Sequence, residues 1–264
     1  MMVLADYSES SEAIHKAFFS NSVAPSLGPY PANKKITKIW KSFMTDDHTP
    51  VELSWSWSDS SALPAVRYAA EPIGWKAGTP SDPFNSEATK VCLGQTLPWA
   101  PSLDLQWYRY FLKSTTTQEG HQAQLSMTSN TPSQTFIAFD LENDAMVVKY
   151  YFLPSLKSAS LGKSNLELVE DTILGMPGYG HLFKDSLSIV IDYIQSHSPS
   201  EQPQVEIIAV DCVDPASSRV KIYVRSYRTS FNDMVKAMTL GGRLSDFSDN
   251  VKSSLAELWC GSFG

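Results

Sequence analysis

The sequence is poor in the features that would commit it to a membrane, a metal or a nucleic acid. Its apolar runs are short: the stretch from Leu187 to Ile194 is broken by Ser188 and Asp192, and it falls well below the ~20 residues that a membrane span requires. The N-terminus, MMVLADYSESSE, lacks the basic flank and long apolar run of a secretory signal. Three scattered cysteines, Cys92, Cys212 and Cys260, form no CxxC pair. An odd set of that kind cannot build a complete disulfide framework, so a reducing cytoplasm is the expected compartment. Lys and Arg form no run long enough to make a phosphate-tracking stripe, and the formal net charge is -7, which argues against nucleic acid as a partner. Asp46–Asp47 are followed by His48–Thr49–Pro50 rather than by a second aspartate at DDxxD spacing. HExxH, P-loop and Cys/His clusters are likewise missing. Neither a metal nor a required cofactor is expected.

What is present is core-forming material and a repeated pattern. The chain has 264 residues, 42% of them hydrophobic, with seven Trp and twelve Phe, enough to bury a sizeable core in one domain spanning 1–264. Val51–Trp57 (VELSWSW) alternates strictly, with Val51, Leu53, Trp55 and Trp57 on one face and Glu52, Ser54 and Ser56 on the other, which predicts a strand. After the turn-like SDSSALP a second strand is predicted from Ala65 to Ile73. The hairpin recurs at Gln134–Leu141 and Ala145–Leu153, joined by Glu142–Asn143–Asp144, and again at Gln204–Cys212 and Arg219–Tyr227, joined by VDPASS. Helical spacing separates the hairpins at Leu103–Lys113, Asn165–Leu174, Leu182–Gln195 and Phe247–Trp259. The Gly-, Pro- and Ser-rich stretch from Gly74 to Thr96 and the polar stretch 114–133 read as loops. Units of roughly seventy to eighty residues suggest a topological repeat. Tight turns make the strands antiparallel and exclude a doubly wound parallel sheet.

Chemistry is suggested by the way charges face within the strands. In RVKIYVRSY, Arg219, Lys221, Tyr223 and Arg225 share one face and Val220, Ile222 and Val224 the other. Lys149 and Tyr151 share a face with Val147, and Arg67 shares its face with Ala69 and Glu71. A single strand of this kind is equally well read as the solvated side of a half-exposed sheet. Lys-x-Tyr, however, occurs twice, each time late in the second strand of a hairpin, and the opposite faces are apolar and adjoin amphipathic helices. With helices on the apolar side, the cations point into a barrel lumen. Arg67, Lys149, Arg219 and Lys221 there would trap a multiply charged anion such as a diphosphate through charge-assisted hydrogen bonds. Tyr151 and Tyr223 could shield a carbocation, a cation–π attraction of about 2 kcal/mol where water is excluded. Glu52 taken alone is ambiguous between a solvated carboxylate and a base. GMPGYGH, with Gly175, Gly178 and Gly180, lacks dinucleotide spacing and reads as a turn between helices. Trp55, Trp57 and the Trp107/Tyr108/Tyr110 cluster read as core.

Four passages carry a family resemblance: TPVELSWSW with Glu52, VRYAAEPIG with Arg67, VVKYYFLP with Lys149 and Tyr151, and IAVDCVDPASSRVKIYVRS with Arg219, Lys221 and Tyr223. In order and context, over roughly residues 30 to 260, they resemble the motifs of fungal indole prenyltransferases of the dimethylallyl-tryptophan-synthase type. The resemblance implies an α+β fold of the ABBA type, in which αββα units enclose an antiparallel barrel with helices outside. It implies transfer of a dimethylallyl group from dimethylallyl diphosphate to an electron-rich aromatic acceptor, an indole or tryptophan derivative or a related ring, without a metal, in secondary-metabolite (alkaloid) biosynthesis. Glu52 would be the general base, Arg67, Lys149, Arg219 and Lys221 would bind the diphosphate, and Tyr151 and Tyr223 would shield the allylic cation.

The family barrel has five units and ten strands, of which this chain offers three hairpins and about six strands. The expectation is therefore a partial barrel: either a truncated product, or a chain that closes its sheet edges by self-association, as in a homodimer. A relic that binds diphosphate without turning it over is the rival reading. A lipocalin-like carrier fits poorly with the long helices and the charged lumen.

Overall fold

The structure, a computed structural model, describes residues 1–29, 40–57, 64–117, 132–143, 145–244 and 248–263. Strands β1 (Val51–Ser56), β2 (Ala65–Ala70), β3 (Thr135–Leu141), β4 (Met146–Phe152), β5 (Gln204–Asp211) and β6 (Val220–Arg225) form one sheet in the order β1-β2-β3-β4-β5-β6. Each strand neighbours the next in sequence, so all three expected hairpins are present and the sheet is a meander. The described ladders are antiparallel. The helices are α1 (Glu9–Phe18), α2 (Ser86–Thr96), α3 (Gln106–Thr115), α4 (Ser155–Ser160), α5 (Asn165–Leu174), α6 (Lys184–Gln195), α7 (Phe231–Met238) and α8 (Asp249–Phe263). By packing, the chain divides into two compact units, Met1–Ser164 with Ile207–Ile222, and Asn165–Glu206 with Tyr223–Gly264.

One side of the first unit is apolar and aromatic. Val66, Tyr68 and Ala70 of β2, Ile137, Phe139 and Leu141 of β3, Met146, Val148, Tyr150 and Phe152 of β4 and Ile208 and Val210 of β5 are all buried. Aromatic contacts bind helices to this side: Phe18 of α1 meets Phe139 edge-on at 5.1 Å, Tyr108 of α3 meets Tyr150 at 4.4 Å, and Phe111 stacks on Phe152 at 5.9 Å. Such pairs add about 0.5–1.5 kcal/mol each to the area they bury. Trp107 and Tyr108 are core, as expected. The apolar face of β1 is different. Leu53 is 61% and Trp57 71% exposed, and Trp55 packs against Trp57 at 5.6 Å. The core placement read for Trp55 and Trp57 is therefore corrected: β1 is an edge strand, and its apolar side is not covered by a described helix as those of β2–β4 are.

A second correction concerns 74–96, which holds α2 as well as loop. The helix is set by Asp82, whose Oδ1 accepts from the Ser86 N–H at 2.7 Å and so caps the first turn from within the Pro-rich stretch. Asn85 is left-handed at φ 53°, a conformation Asn tolerates. Its amide ties the turn down, donating to Pro72 O at 2.6 Å and accepting from Gly74 N–H at 2.9 Å. Helices α1, α4 and α7 were also not expected; α1 begins at Ser8, which accepts from the Ser11 N–H at 3.2 Å. GMPGYGH does join two helices, and Gly180 is needed there because a Cβ would lie 2.0 Å from Leu174 O. The turn residues 58–63, Asp144 and most of 114–133 lie outside the described residues.

Glu71 sits one residue past the end of β2, and its side chain is not with the cations. It is buried, accepting from Trp40 Nε1 at 2.8 Å, Ser42 Oγ at 2.6 Å and the Phe43 N–H at 3.1 Å. Burial raises its carboxyl above the ordinary range against the pull of these donors. A raised folded-state pKa means that its stabilising contribution is complete below the ordinary value of 4.5 and is lost as pH rises through the folded-state value. Glu71→Gln leaves Trp40 N–H or Phe43 N–H facing an amide NH₂ and should cost about 1–3 kcal/mol in urea unfolding. The gap between the wild type and the variant should be widest in acid and narrow as pH rises.

Candidate active site

The other side of the first unit's sheet is where the charges lie. Antiparallel register aligns Glu52 with Ala69, Ala69 with Ala138, Ala138 with Lys149, and Lys149 with Asp211. These five residues form one row across five strands, with a carboxylate at one end and the charged pair at the other. Three strand steps separate Glu52 from Lys149, about 14 Å between backbones, and the two intervening residues are alanines. A neighbouring row runs Ser54, Arg67, Asp140, Val147, and the row on the other flank runs Phe136, Tyr151, Ala209.

Two carboxylates that the sequence alone does not single out, half-buried Asp140 and buried Asp211, organise the cations. Asp140 pairs with Lys149, whose ammonium donates to Oδ2, and the same oxygen lies 3.0 Å from Arg67 Nε without hydrogen-bond alignment. Asp211 receives Arg219 Nε on Oδ2 at 2.7 Å and Lys221 Nζ on Oδ1 at 3.3 Å. The four expected cations are therefore gathered on one face of one unit, two around each carboxylate. Lys149 and Asp211 are cross-strand partners, which places the two groups side by side. Asp140 could have been found from the sequence only by noticing that IAFDL carries one acid at the strand position that shares a face with Ala138 and Phe136.

The cations are not equivalent. The Lys149 side chain is 4% exposed and that of Arg219 63%, so Arg219 is screened by water and its pair with Asp211 contributes little to stability. Lys149 lies in a dry site where every charge interaction is stronger. Burial pushes its ammonium below the ordinary lysine value, the bond and charge of Asp140 pull it back up, and the positive charges of Lys221 and Arg67 push it down again.

Tyr151 lies stacked on Phe136, ring centroids 4.4 Å apart and planes 13° from parallel, an aromatic surface two residues along β4 from Lys149. Glu52 is exposed on the edge strand, at the far end of the row. Tyr223 falls in the second unit and is 39% exposed. Arg225 belongs there too, paired with Glu206 at 3.5 Å. Among the described residues no group of three or more His, Cys, Asp or Glu is placed to hold a metal ion, and no helix is long and apolar enough to cross a membrane.

A meander of hairpins with helices on its apolar side matches the ABBA-type prenyltransferase structures. AnaPT from Neosartorya fischeri superposes with a TM-score of 0.84 at 26% identity, covering 98% of this chain and 65% of that one. NotF, solved in complex with brevianamide F and DMSPP, superposes at 0.83 and 22% identity, covering 97% and 64%. The family model for tryptophan dimethylallyltransferase matches residues 1–264, and the chain belongs to that family. Among curated relatives, the 4-O-dimethylallyl-L-tyrosine synthase of Claviceps purpurea is 55% identical over 263 residues, which is 100% of this chain and 59% of that protein. The tryptophan dimethylallyltransferase of Arthroderma otae is 32% identical, covering 98% of this chain and 58% of its own length. The chain thus spans rather more than half the length of the relatives it matches.

The lowered folded-state pKa of Lys149 gives a stability signature. The folded chain binds its proton more weakly than the unfolded chain does, so the cost of charging it falls away as pH rises from the folded-state value toward 10.5. In urea melts across that window the wild type should gain stability relative to Lys149→Met, which carries no titrating group there. Parallel pH profiles would show that the ammonium is not desolvated as described.

Proposed function

We propose that the protein transfers a dimethylallyl group from dimethylallyl diphosphate to an aromatic acceptor, with the phenol oxygen of tyrosine as the attacking atom. The observation that carries the reading is the convergence of Arg67, Lys149, Arg219 and Lys221 on one sheet face, around a row that ends in Glu52. Four cations against two carboxylates leave a site two charges positive, suited to an anion that carries several negative charges at neutral pH.

In this reading the bond from the allylic carbon to the diphosphate oxygen breaks, and its electron pair leaves with pyrophosphate, which the four cations stabilise as its charge develops. The allylic cation left behind is held over an aromatic face, that of Tyr151 on its Phe136 support. The acceptor oxygen forms the new bond to carbon, and its proton passes to Glu52. Tyrosine is favoured as acceptor by the 55% identity to a protein named as a 4-O-dimethylallyl-L-tyrosine synthase, against 31–32% for several tryptophan-named relatives. Protein cations do the work that a metal would otherwise do at the leaving group, and the site takes no cofactor.

Incubation with dimethylallyl diphosphate and either L-tyrosine or L-tryptophan, with products identified by mass spectrometry, tests the reading. The dimethylallyl ether of tyrosine should be the main product. Lys149→Ala should lower kcat about 10²-fold or more, as loss of a preorganised charge at a developing anion does. Glu52→Gln should lower kcat in the range of about 10²–10⁴-fold expected for a general base and leave inhibition by pyrophosphate unchanged. A preference for tryptophan would refute the tyrosine assignment, and an undiminished rate in Lys149→Ala would refute the diphosphate site.

A further inference from the structure

We propose that Asp140 is a positioning residue of the anion site, a fixed carboxylate that holds Lys149 as an ammonium and aims it, so that a negative charge beside the site strengthens anion binding rather than weakening it. The inference rests on the diphosphate reading above. It starts from a conflict of signs. Asp140 shares a face and a neighbourhood with four cations that are to receive an anion, and simple Coulomb repulsion says that this carboxylate opposes the ligand. Only its effect on Lys149 can reverse that sign.

The groups that face Lys149 decide the question. Arg67 from β2 and Lys221 from β6 both act on it as positive neighbours, and burial adds to them, so three influences favour loss of its proton. On the negative side stand Asp140 from β3, which takes its hydrogen bond, and Asp211 from β5, opposite in register. Asp211 is already engaged by Arg219 at 2.7 Å and Lys221 at 3.3 Å. Glu52 lies three strands away along the row. Asp140 is thus the carboxylate that bonds Lys149 directly, and the second cation on it, Arg67, is a 3.0 Å ion pair without hydrogen-bond alignment. Remove the charge at 140 and Lys149 is left desolvated among cations, where the neutral amine is the cheaper form.

The test is calorimetric titration of inorganic pyrophosphate into the full chain from about pH 6.5 to about pH 9, comparing the wild type with Asp140→Asn. Pyrophosphate's own ionisation is common to both and cancels. Near pH 6.5 the variant should bind within a few-fold of the wild type, and toward pH 9 it should fall behind by about tenfold or more, since one unit of pKa displacement is worth a factor of ten. Asp140→Glu should recover most of the difference. Binding by Asp140→Asn that equals or exceeds the wild type over the whole range overturns the proposal, because that is what subtraction of a repelling charge alone would give. Lys149→Met and Lys221→Met test the underlying reading separately: if neither weakens pyrophosphate, the anion site itself is wrong, whereas if both do and Asp140→Asn does not, only the role of Asp140 fails. Should Asp140→Asn fold poorly, the double variant Asp140→Asn/Lys149→Met decides. Recovery of the melting temperature once the unpaired lysine is gone supports the proposal, and no recovery overturns it.

Discussion

A lysine that is 4% exposed must have its charge met by a carboxylate that cannot move away, and in this chain the sheet supplies one by register. Removing either partner of such a buried pair typically costs about 3–5 kcal/mol, while the intact pair contributes little net stability. Asp140 and Lys149 are therefore poorly explained as a device for stability. Their placement depends on a one-residue precision: strands alternate faces, so a slip of β4 by one position would put Tyr150 among the cations and Lys149 under α3. The aromatic side prevents that slip. Tyr68, Phe139, Tyr150 and Phe152 are locked beneath Phe18, Tyr108 and Phe111, and the packing of one face fixes the electrostatics of the other.

Much of this order was legible because both faces announce themselves with a period of two. VVKYY and RVKIYVRS show the alternation directly, and Lys149, Arg219 and Lys221 fall where the alternation puts them. Arg67 was readable for the same reason. Asp140 and Asp211 were not, since IAFDL looks like a buried apolar run with one acid in it and IIAVD like one that ends in an acid. Their meaning appears only when register sets Asp140 beside Arg67 and Asp211 beside Lys149. Glu71 misled in the opposite direction: by alternation it belongs with Arg67, but the strand ends at Ala70 and the side chain turns to Trp40 and Ser42. Helix α2 was hidden because its cap, Asp82, lies in a Pro-rich stretch and because its buried positions include Thr89 and Thr96, which break the apolar stripe. The exposed indoles of β1 were misread because alternation shows which residues share a face but not whether anything covers it.

The grouping of cations around two carboxylates has a chemical logic of its own. Four unpaired cations on one face would repel one another and spread into solvent, as long side chains can. Four fully neutralised cations would have nothing left for a ligand. Two carboxylates for four cations avoid both outcomes, holding the groups in place and leaving positive charge over. The arrangement is also graded in exposure, from Lys149 in the dry interior to Arg219 largely in water. Under the proposed function, an incoming anion meets hydrated charge first and desolvated charge last, and only the latter gains the full strength of a low-dielectric contact.

Under the proposed function, that gradient bears on how the leaving group is stabilised. A charge that must reorganise to meet the developing anion spends part of its interaction on its own rearrangement, whereas one already held in place does not. Lys149 is the buried cation of this cluster, it is directly hydrogen-bonded to half-buried Asp140, and it stands in the register row between the alanines and Asp211. In that reading, the same constraint that makes it expensive to bury makes it effective once buried. The sheet tolerates the cost because the aromatic face, with its helices, supplies the stability that the polar face does not.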